Sequence, residues 1–483
     1  METITKSLIW IIGILLLVSF LLKRRPYYYL AFQMPTVWGL PFLGMRHKLV
    51  QKFANFQSSF PCLSTPTYLV WIGLNPFIVT TDPKLIEVVL TSNGFLNKSK
   101  NLYKPINNAI HDGIISSPAI KWQHNRKLMN ASFTHKILTG FLPIFHAGSQ
   151  TARKKLAELA GQEEQPIFDM LKRLILATTL GIQLEEGHEM DENLIHGFNY
   201  LIHKCAQDAI FMTVNLEWLT HTPKYYRTIN FLRNYVKQAS LRLSRCRLHD
   251  DSDSIKKSED IFIDQAMGFM ENGKFTVQDI ISETHTMIAG SFETVSTTIY
   301  SALVMLAMHP EVQQKLYNEV VSVFPGPDVA VEYDDLKKLP YLDMVINETL
   351  RLMPSIPVIG RHVVSNVLLG DMMLPKDMQI IIPIFNLHRR KDIWGPAANE
   401  FNPENFLAEN VAGKHPYAFI PFSKGVRNCI GWRYAYIAVR VFLIGQVQSF
   451  RFSTSFKYKD LKFVDHISIK YDVEPMLKIE ERH

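Results

Sequence analysis

The sequence predicts a mainly α-helical protein with small β-sheets (α+β), folded as one large body with the sheets set to one side. Helical patterns of apolar residues dominate from Pro83 onward. A region rich in Val, Ile and Tyr, Tyr68 to Thr80, is broken by Gly, Asn and Pro, which predicts a β-hairpin. A second strand-rich region lies near Val363 to Leu369 and Met378 to Pro383. Long helical patterns beside a few short strands therefore favour the α+β class.

Composition bounds the class of function. The chain has 483 residues, 47% of them hydrophobic and 20% charged, with a formal net charge of +7. This length can bury a large core around a cofactor, and the modest positive charge favours an anionic membrane or an acidic protein partner over nucleic acid. The cysteines are widely spaced, which suits free thiols in a reducing compartment. They are Cys62, Cys205, Cys246 and Cys429.

The N-terminus predicts a membrane anchor in residues 1–25. Leu8 to Leu22 is an almost wholly apolar run, and the basic residues 23–25 after it favour a cytoplasmic body under the positive-inside rule. A cleavable signal peptide is the alternative, because the apolar run has about that length. No small-residue cleavage signal follows it, so an uncleaved signal anchor is favoured. Residues 26–45 are predicted to form a proline-containing linker, and residues 46–483 the body.

A long buried helix is predicted from about Val277 to about Met308. Thr276 and Asp279 have the spacing of a capping box at its start, and Pro310 opens the next helix. At about 1.5 Å per residue the helix spans on the order of 50 Å, enough to cross a domain. Residues 250–260, rich in Asp, Ser and Lys, are predicted to form an exposed loop.

The long helix carries a segment that suggests chemistry. Gly290 and Thr294 are four residues apart and lie on one face, where a small residue lets a ligand approach the backbone. The Thr294 hydroxyl can then donate a hydrogen bond, and Glu293 can help to relay protons. The alternative is ordinary packing of Gly and Thr in a buried helix.

Two pairs of residues at helical spacing lie on either side of this segment in the chain. Glu348 and Arg351 share a face of a helix predicted from about Tyr341 to Leu352, whose apolar neighbours suggest a buried ion pair. Trp122 and Arg126 are one turn apart in another helical stretch. Each pair alone is also compatible with an ordinary amphipathic helix.

The most informative stretch is the loop of residues 421–431. It places Cys429 between Phe422, predicted to be buried, and a helix predicted to begin at Ile430. Backbone N–H groups and the positive end of the helix dipole then favour a thiolate. Gly425 and Gly431 allow turns or close approaches that a Cβ would hinder.

From Phe422 to Gly431 the loop reads F-x-x-G-x-R-x-C-x-G. This pattern resembles the haem-binding loop of the cytochrome P-450 family, the haem-thiolate monooxygenases. The other motifs resemble, in the family's order, its W-x-x-x-R, its oxygen-activation segment and its E-x-x-R. The sequences of residues 405–410 and 415–422 look most like those of insect microsomal members of the fatty-acid-hydroxylase clan. The resemblance covers nearly the whole chain and implies the cytochrome P-450 fold, a single large haem-enclosing domain.

The resemblance assigns the site residue by residue. Glu293 and Thr294 take the catalytic positions. The residues that it places around noncovalent haem b are Cys429 as axial ligand of the iron, with Trp122, Arg126, Arg361, Arg427, Phe422 and Gly431. It also suggests a substrate pocket, and the residues implied to line it are Ile106 to Ile110, Met287, Phe292 and Pro357 to Ile359.

This chain departs from the family's patterns at three positions. Ser291 stands where the family has a second glycine, and Asn405 replaces an arginine that usually joins the E-x-x-R pair, which puts that network's stability in doubt. Gly290 stands where the clan often has a glutamate that attaches haem covalently, so noncovalent haem is expected.

The implied reaction is the insertion of one oxygen atom from O2 into a lipophilic substrate with electrons from NADPH. No nucleotide-binding glycine motif is present, so the implied partner is a separate NADPH–cytochrome P-450 reductase, and the family admits cytochrome b5 as a further one. Lys424 and Arg433 can meet an acidic partner, or can serve only in solvation or propionate pairing. The implied location is the endoplasmic reticulum membrane, with a cytoplasmic catalytic domain. The rivals are a haem-thiolate isomerase or lyase and a haem-binding protein without turnover.

Overall fold

The computed structural model describes residues 2–40, 43–45, 65–180, 189–211, 221–248, 273–464 and 467–482. The loop predicted at 250–260 and Cys62 lie outside these ranges. The α-helices are α1 (Glu2–Gln33), α2 (Pro83–Thr91), α3 (Lys100–Ile110), α4 (Ala119–Met129), α5 (His135–Gly140), α6 (Leu142–Leu159), α7 (Phe168–Leu180), α8 (Glu189–Phe211), α9 (Pro223–Leu248), α10 (Val277–Met308), α11 (Pro310–Val323), α12 (Pro340–Leu352), α13 (Ile384–Leu387), α14 (Lys391–Trp394), α15 (Ala408–Ala412) and α16 (Trp432–Ser449).

The strands are short. They are β1 (Thr36–Val37), β2 (Thr67–Ile72), β3 (Asn75–Thr80), β4 (Asn97–Lys98), β5 (Val358–His362), β6 (Val367–Leu369), β7 (Met372–Leu374), β8 (Gln379–Pro383), β9 (Phe450–Ser453), β10 (Phe463–Val464), β11 (Lys470–Tyr471) and β12 (Lys478–Glu481). A six-stranded sheet has the order β1-β2-β3-β8-β5-β4, and two-stranded pairs join β6 to β7, β9 to β12 and β10 to β11. The predicted α+β class is confirmed.

The main sheet joins distant parts of the chain. Strands β2 and β3 form the predicted hairpin, with Thr67 opposite Thr80. Strand β8 pairs parallel to β3 and antiparallel to β5, and β5 in turn pairs antiparallel to β4. The second predicted strand region contains β6 (Val367–Leu369) and β8 (Gln379–Pro383), whereas β5 (Val358–His362) lies just before it. The β4–β5 pairing places Lys98, which lines the cavity described below, beside Arg361.

Helix α10 has the predicted bounds and cap. The Thr276 hydroxyl accepts from the Asp279 amide at 3.1 Å, and the Asp279 carboxylate accepts from the Thr276 amide at 3.1 Å, so two otherwise unpaired donors are satisfied. Nearly every residue from Ile280 to Ala307 is buried, because α10 packs against α7, α12 and α16. The helix is therefore the central beam of the large hydrophobic core.

The N-terminal helix is longer than predicted. Helix α1 continues to Gln33, so the predicted boundary at residue 25 lies inside a helix, and Thr36–Val37 join the main sheet. Helix formation across Pro26 is unfavourable in isolation. Docking on the body compensates: Leu30 is 2% exposed, and the Tyr28 ring stacks on Trp71 with centroids 5.2 Å apart.

The stretch Thr5–Gln33 is long and apolar enough to cross a membrane, and the most apolar window within it has no buried residue. Large apolar side chains from Leu8 to Leu22 are exposed. A signal sequence has the same length and composition, so this helix is weak evidence for a membrane anchor.

The buried ion pair of α12 is hydrogen-bonded to residues farther along the chain, between 388 and 405. The Glu348 and Arg351 side chains are 0% exposed and joined by two hydrogen bonds of 2.7 and 2.8 Å. Glu348 also accepts from the Asn405 side chain at 3.1 Å and from the Asn402 amide at 2.8 Å. Arg351 donates to the carbonyl of His388 at 3.0 Å. Asn405 therefore keeps one hydrogen bond of the network that an arginine would make.

Replacing Glu348 by Gln should destabilise the protein strongly. The Arg351 charge would remain buried without its counter-ion, which typically costs about 3–5 kcal/mol. The measurement is the thermal unfolding midpoint of the haem-loaded protein. Asp334→Asn, which breaks an exposed pair with Lys337, is the control and should leave the midpoint unchanged. Equal midpoints for the two variants would contradict a structural role for the buried pair.

Candidate active site

A cavity of about 520 Å³ lies between α10, α3, α4, the main sheet and the loop of residues 421–431. This volume is typical of small-molecule and cofactor sites, which occupy about 300–1,000 Å³. Its walls are mostly apolar, and three cationic side chains, those of Lys98, Arg126 and Arg427, lie near one another at one end. The cavity therefore brings together most residues that the sequence singled out.

The cysteine loop is shaped by Gly425. Its φ is +72°, and a Cβ there would lie 1.9 Å from the Leu90 carbonyl oxygen, so only glycine fits. The Cys429 amide donates to the Phe422 carbonyl at 2.9 Å, which closes the loop and exposes the thiol to the cavity. Gly431 differs from the expectation, because a Cβ there would meet only Phe133 at an ordinary 3.7 Å.

Two local predictions for this loop are corrected. Helix α16 begins at Trp432, two residues after the predicted Ile430, with Gly431 at the cap. Phe422 is half-buried and lines the cavity, whereas burial was expected. The later start of α16 arises because the chain between Cys429 and Trp432 stays in a turn, which directs the Gly431 amide at the sulfur.

Burial and the donors of the loop act in opposite directions on the Cys429 thiol. Burial raises the pKa of the Cys429 thiol above its ordinary value, and the Gly431 amide, Arg126 and Lys98 only partly oppose this. The Gly431 amide does favour the thiolate, as the sequence indicated, but burial is the larger effect. A directly bound metal ion is a larger charge than any of these and deprotonates a coordinating thiol.

Arg126 clamps the cysteine loop. Its guanidinium donates to the carbonyl oxygen of Asn428 at 2.7 Å and to the side-chain oxygen at 2.8 Å, while its Nε donates to Asn130 at 2.9 Å. Helix α4 is thereby fixed to the residue just before Cys429. The W-x-x-x-R spacing could not reveal this contact, because Asn428 is 302 residues away.

Arg427 lines the cavity and packs against the Trp122 ring. Its guanidinium stands 4.7 Å from the Trp122 ring centroid and donates to the carbonyl oxygens of Leu96 and Ser117 at 2.8 and 2.9 Å. Burial, with help from Arg361 and Arg126, lowers the pKa of Arg427 to about 9. Its Nε has no hydrogen-bond partner in the described structure. A buried cation of this kind calls for an anion nearby.

Lys98 is a cavity residue that the sequence analysis missed. Burial and the neighbouring Arg361 and Arg427 hold the pKa of Lys98 well below its usual range. Its ammonium contacts the Tyr103 hydroxyl at 3.5 Å, and no carboxylate within the described ranges pairs with it. Lys98 and Arg361 are neighbours only through the β4–β5 pairing, a long-range contact that no sequence pattern announces.

Arg361 is placed differently from the expectation. It is 1% exposed, lies beside Lys98 and does not line the cavity, and its Nη1 donates to the Gly360 carbonyl at 3.2 Å. Burial lowers its pKa, and its Nη2 is without a partner among the described atoms. Arg361 thus adds positive charge from behind the wall, and Lys98 presents the charge to the cavity.

The cationic end of the cavity fits a cofactor with anionic groups. Three cationic side chains line it, those of Lys98, Arg126 and Arg427, and none has a carboxylate partner in the described ranges. The Cys429 thiol faces the same space, surrounded by apolar walls. Carboxylates placed at the cationic end would relieve the repulsion among these groups while the thiol meets a soft metal ion.

The segment of α10 that resembles the family's oxygen-activation segment lines this cavity through Gly290, Ser291, Glu293 and Thr294. The Thr294 hydroxyl donates to the Gly290 carbonyl at 2.7 Å, so its oxygen is free to accept a hydrogen bond from the cavity side. Ser291 donates to the Met287 carbonyl at 2.7 Å, and helix α10 continues without a break. The serine departure is therefore absorbed by an ordinary bond to the preceding turn.

Glu293 lies in a buried ionic cluster. Its carboxylate is 2.9 Å from the Lys172 ammonium and 3.6 Å from that of Lys470, and accepts from Ser468 at 2.8 Å. Burial acts to raise the pKa of Glu293, but Lys470 and Lys172 outweigh it and hold the pKa below its ordinary value. The carboxylate is thus held ionised by two lysines that the sequence analysis did not identify.

The apolar walls match most of the pocket residues implied by resemblance. Ile106, Ile110, Met287 and the segment 357–359 line the cavity. Phe292 does not, since it is 0% exposed and packs against Phe198 in the core with ring centroids 5.3 Å apart. Helix α8 contributes wall residues that the sequence did not suggest, and these are Phe198, Leu201, Ile202, Cys205, Ala206 and Ala209.

Comparison with known proteins agrees with this geometry. A model of the cytochrome P450 family matches residues 31–469. Among curated relatives, the chain is 34% identical to "Probable cytochrome P450 313a2" of Drosophila melanogaster, over 97% of this chain and 98% of the relative. It is also 32% identical to "Probable cytochrome P450 313a4" of the same insect, over 97% of each chain.

A cockroach relative adds a second branch. The chain is 31% identical to "Cytochrome P450 4c21" of Blattella germanica, over 82% of each chain. The predicted resemblance to insect members and the predicted cytochrome P-450 fold are thereby confirmed. The chain belongs to the cytochrome P450 family, whose members are oxidoreductases: haem-thiolate monooxygenases that bind haem b noncovalently through a cysteine thiolate.

Proposed function

We propose that this protein inserts one oxygen atom from O2 into a lipophilic organic substrate, with electrons from NADPH delivered by a separate reductase. The observation that carries the proposal is the shared cavity. It contains the Cys429 thiol, three cationic side chains without a carboxylate partner in the described part of the chain, and the Gly290–Thr294 turn of α10. Cys429 is the proposed axial ligand of the haem iron.

Haem, when bound, supplies the activation of O2 and the transfer of one oxygen atom to the substrate, with the thiolate favouring O–O cleavage. The residues of this chain hold and orient it. Lys98, Arg126 and Arg427 are the proposed partners of its propionates, with Arg361 adding charge behind them. Because Arg126 also binds Asn428, a propionate here is coupled to the loop that carries the thiol.

Thr294 is the proposed proton donor at the reacting face. Its hydroxyl donates to the Gly290 carbonyl, so delivery to the cavity requires only rotation of the hydroxyl about the Cβ–Oγ1 bond. Glu293 is not free to act beside it, because Lys172 and Lys470 hold its carboxylate. Its proposed contribution to a proton relay therefore passes through Lys470, whose pKa is lowered by burial and by Lys172 and whose side chain is 18% exposed.

The substrate is proposed to be lipophilic because the cavity walls are. Away from the cationic end they are formed by α3, α8 and the strands β2, β3 and β8 with mainly Ile, Leu, Phe and Ala side chains. Cys205 belongs to this wall and is chemically inert there, since burial raises the pKa of its thiol and it donates to the Pro105 carbonyl at 3.4 Å.

The proposed location is the endoplasmic reticulum membrane, with helix α1 as the anchor and the catalytic body in the cytoplasm. The proposed electron donors are NADPH–cytochrome P-450 reductase and cytochrome b5. Arg433 is exposed and Lys424 donates to the Pro416 carbonyl at 2.6 Å; neither lines the cavity. This favours contact with an acidic partner over propionate pairing for these two residues.

The reaction is separated from its rivals by one reconstitution. With reductase present, a monooxygenase consumes NADPH in step with hydroxylated product. An isomerase or lyase forms product without NADPH, and a haem-binding protein without turnover forms none. Candidate substrates are first selected by the spectral shift that they induce in the haem.

Cys429→Ala is expected to abolish the thiolate-type spectrum of the reduced carbon monoxide complex. No other described cysteine reaches the haem end, so no soft ligand remains. Cys205→Ala, which removes the other cysteine of the cavity wall, is the matched control and should keep the spectrum. A normal spectrum in the Cys429 variant would refute the ligand assignment.

Thr294→Ala should uncouple NADPH consumption from product. Without the hydroxyl the protein should release more hydrogen peroxide, and product per NADPH should fall at least about tenfold, since general acid catalysis contributes about 100- to 10,000-fold. Ser296→Ala removes a similar hydroxyl bonded to the preceding turn, outside the cavity, and should stay coupled. Unchanged coupling in the Thr294 variant, with normal haem binding, would remove this residue from the mechanism.

Two N-terminal deletions should separate anchoring from folding. A protein lacking residues 2–25 should lose most membrane association but keep haem and stability, because Leu30 and Ala31 remain docked. A protein lacking residues 2–33 should also lose stability, by about 1.5–3 kcal/mol for the buried leucine alone. Flotation with liposomes and the unfolding midpoint are the measurements. Equal stability of the two proteins would contradict the docking of α1.

A further inference from the structure

A segment without regular secondary structure covers one side of the cavity. Residues 111–118, here called the strap, connect α3 to α4 and begin with His111 at a φ of +65°. Gly113 lies directly on α10, where a Cβ would be 2.1 Å from the Thr286 hydroxyl oxygen. The amides of Ser116 and Ser117 donate to the Gly113 carbonyl at 3.0 and 2.9 Å within the strap, and its attachment to the neighbouring helices depends on side chains.

Glu283 of α10 holds the middle of the strap. Its Oε2 accepts from the Ile114 amide at 2.9 Å, and its Oε1 accepts from the Asn125 side chain of α4 at 2.7 Å. Glu283 is 0% exposed and Asn125 is 2% exposed. One buried carboxylate thus joins three elements, α10, the strap and α4, and all three line the cavity.

An ionisable group is an expensive way to fill this position. Glu283 is fully buried, and the neighbouring residues Ile114, Trp122 and Ile280 belong to one apolar cluster. Burial raises the pKa of Glu283 to about 7, opposed by Asn125, the Ile114 amide and Lys121. A carboxylate that is retained despite this cost, and that accepts from two separate elements, is best explained by the need to fix their relative position.

The strap is fixed at its two sides as well. Asp112 pairs with Lys121 at 3.0 Å, and the Ser117 carbonyl accepts from Arg427 at 2.9 Å. Between these points Ile115 enters the cavity. Its Cδ1 lies 3.7 Å from the place where a Cβ on Gly290 would stand, so it covers the notch one turn before Thr294.

We propose that Glu283 is a positioning residue which, by holding the strap, keeps Ile115 over Gly290 and so restricts the size and orientation of molecules that reach the reacting face. This role rests on the proposed haem-dependent function of the same cavity. It makes Ile115 a specificity-determining side chain and Glu283 the group that acts through it.

The test uses two ligands of haem iron that need no turnover and no known substrate. Imidazole and the bulkier phenylimidazole are titrated into the ferric holoprotein, and their dissociation constants are read from the shift of the haem absorption band. The ratio of the two constants reports crowding at the reacting face. It is independent of NADPH, reductase and product, so its failure is distinct from a failure of the proposed reaction.

Glu283→Gln should change this ratio about tenfold in favour of phenylimidazole, because one of two buried hydrogen bonds to a charged acceptor is lost and the strap is released. Ile115→Ala should change the ratio in the same direction. If Glu283 acts through Ile115, the double variant should show no more than the larger single effect.

Two further variants exclude a general loss of structure. In the exchange variant with Asn125→Asp and Glu283→Gln, the glutamine can accept from the Ile114 amide and donate to the aspartate, so the wild-type ratio should return. Glu319→Gln is the matched control, because Glu319 also accepts from two backbone amides, those of Tyr341 and Leu342, far from the cavity. It should leave the ratio unchanged.

The outcomes decide the proposal in either direction. An unchanged ratio in Glu283→Gln, or additive effects of Glu283→Gln and Ile115→Ala, would overturn it. If Glu283→Gln alone does not retain haem, the exchange variant decides. Recovery of haem and of the wild-type ratio supports the proposal, and failure to recover both overturns it.

Discussion

Electrostatic repulsion among buried cationic side chains at one end of the cavity is the main constraint on this structure. Lys98, Arg126 and Arg427 face one cavity, with Arg361 just behind, and burial holds the pKa of Lys98 and of Arg427 below their usual ranges. Burying like charges without counter-ions is costly. Two anionic groups at this end would turn the cost into attraction. Haem binding and the final packing of α4, β4 and the cysteine loop are therefore coupled.

Helix α10 turns this coupling into a reacting site. Its cap at Thr276 fixes where the helix begins, and its burial fixes its direction through the core. Gly290 and Thr294 then present a notch and a hydroxyl to the cavity, while Glu283, two turns earlier, reaches the strap. Residues seven and four apart on one helix lie on nearly the same face. A single rigid element thus aligns the wall, the notch and the proton donor.

Local patterns predicted a large part of this architecture. The bounds of α10, the β2–β3 hairpin and α12 follow from caps, periodicity and turn residues, all of which are short-range signals. Lys98 and Glu283 were missed because their roles arise from partners more than 150 residues away. The predicted linker at residues 26–45 was helical as far as Gln33, since docking of Leu30 and Tyr28 on the body outweighs Pro26. Phe292 faces the core and not the cavity. The rotation of the helix decides this, and the sequence could not, because an apolar side chain suits either position.

The central claim is that the Cys429 thiolate binds the iron of a haem held in this cavity. Iron K-edge X-ray absorption on the purified, unmodified ferric protein tests it most directly. The account predicts porphyrin nitrogens together with a single sulfur at about 2.3 Å, a typical metal–thiolate distance. A first shell made only of nitrogen and oxygen would contradict it.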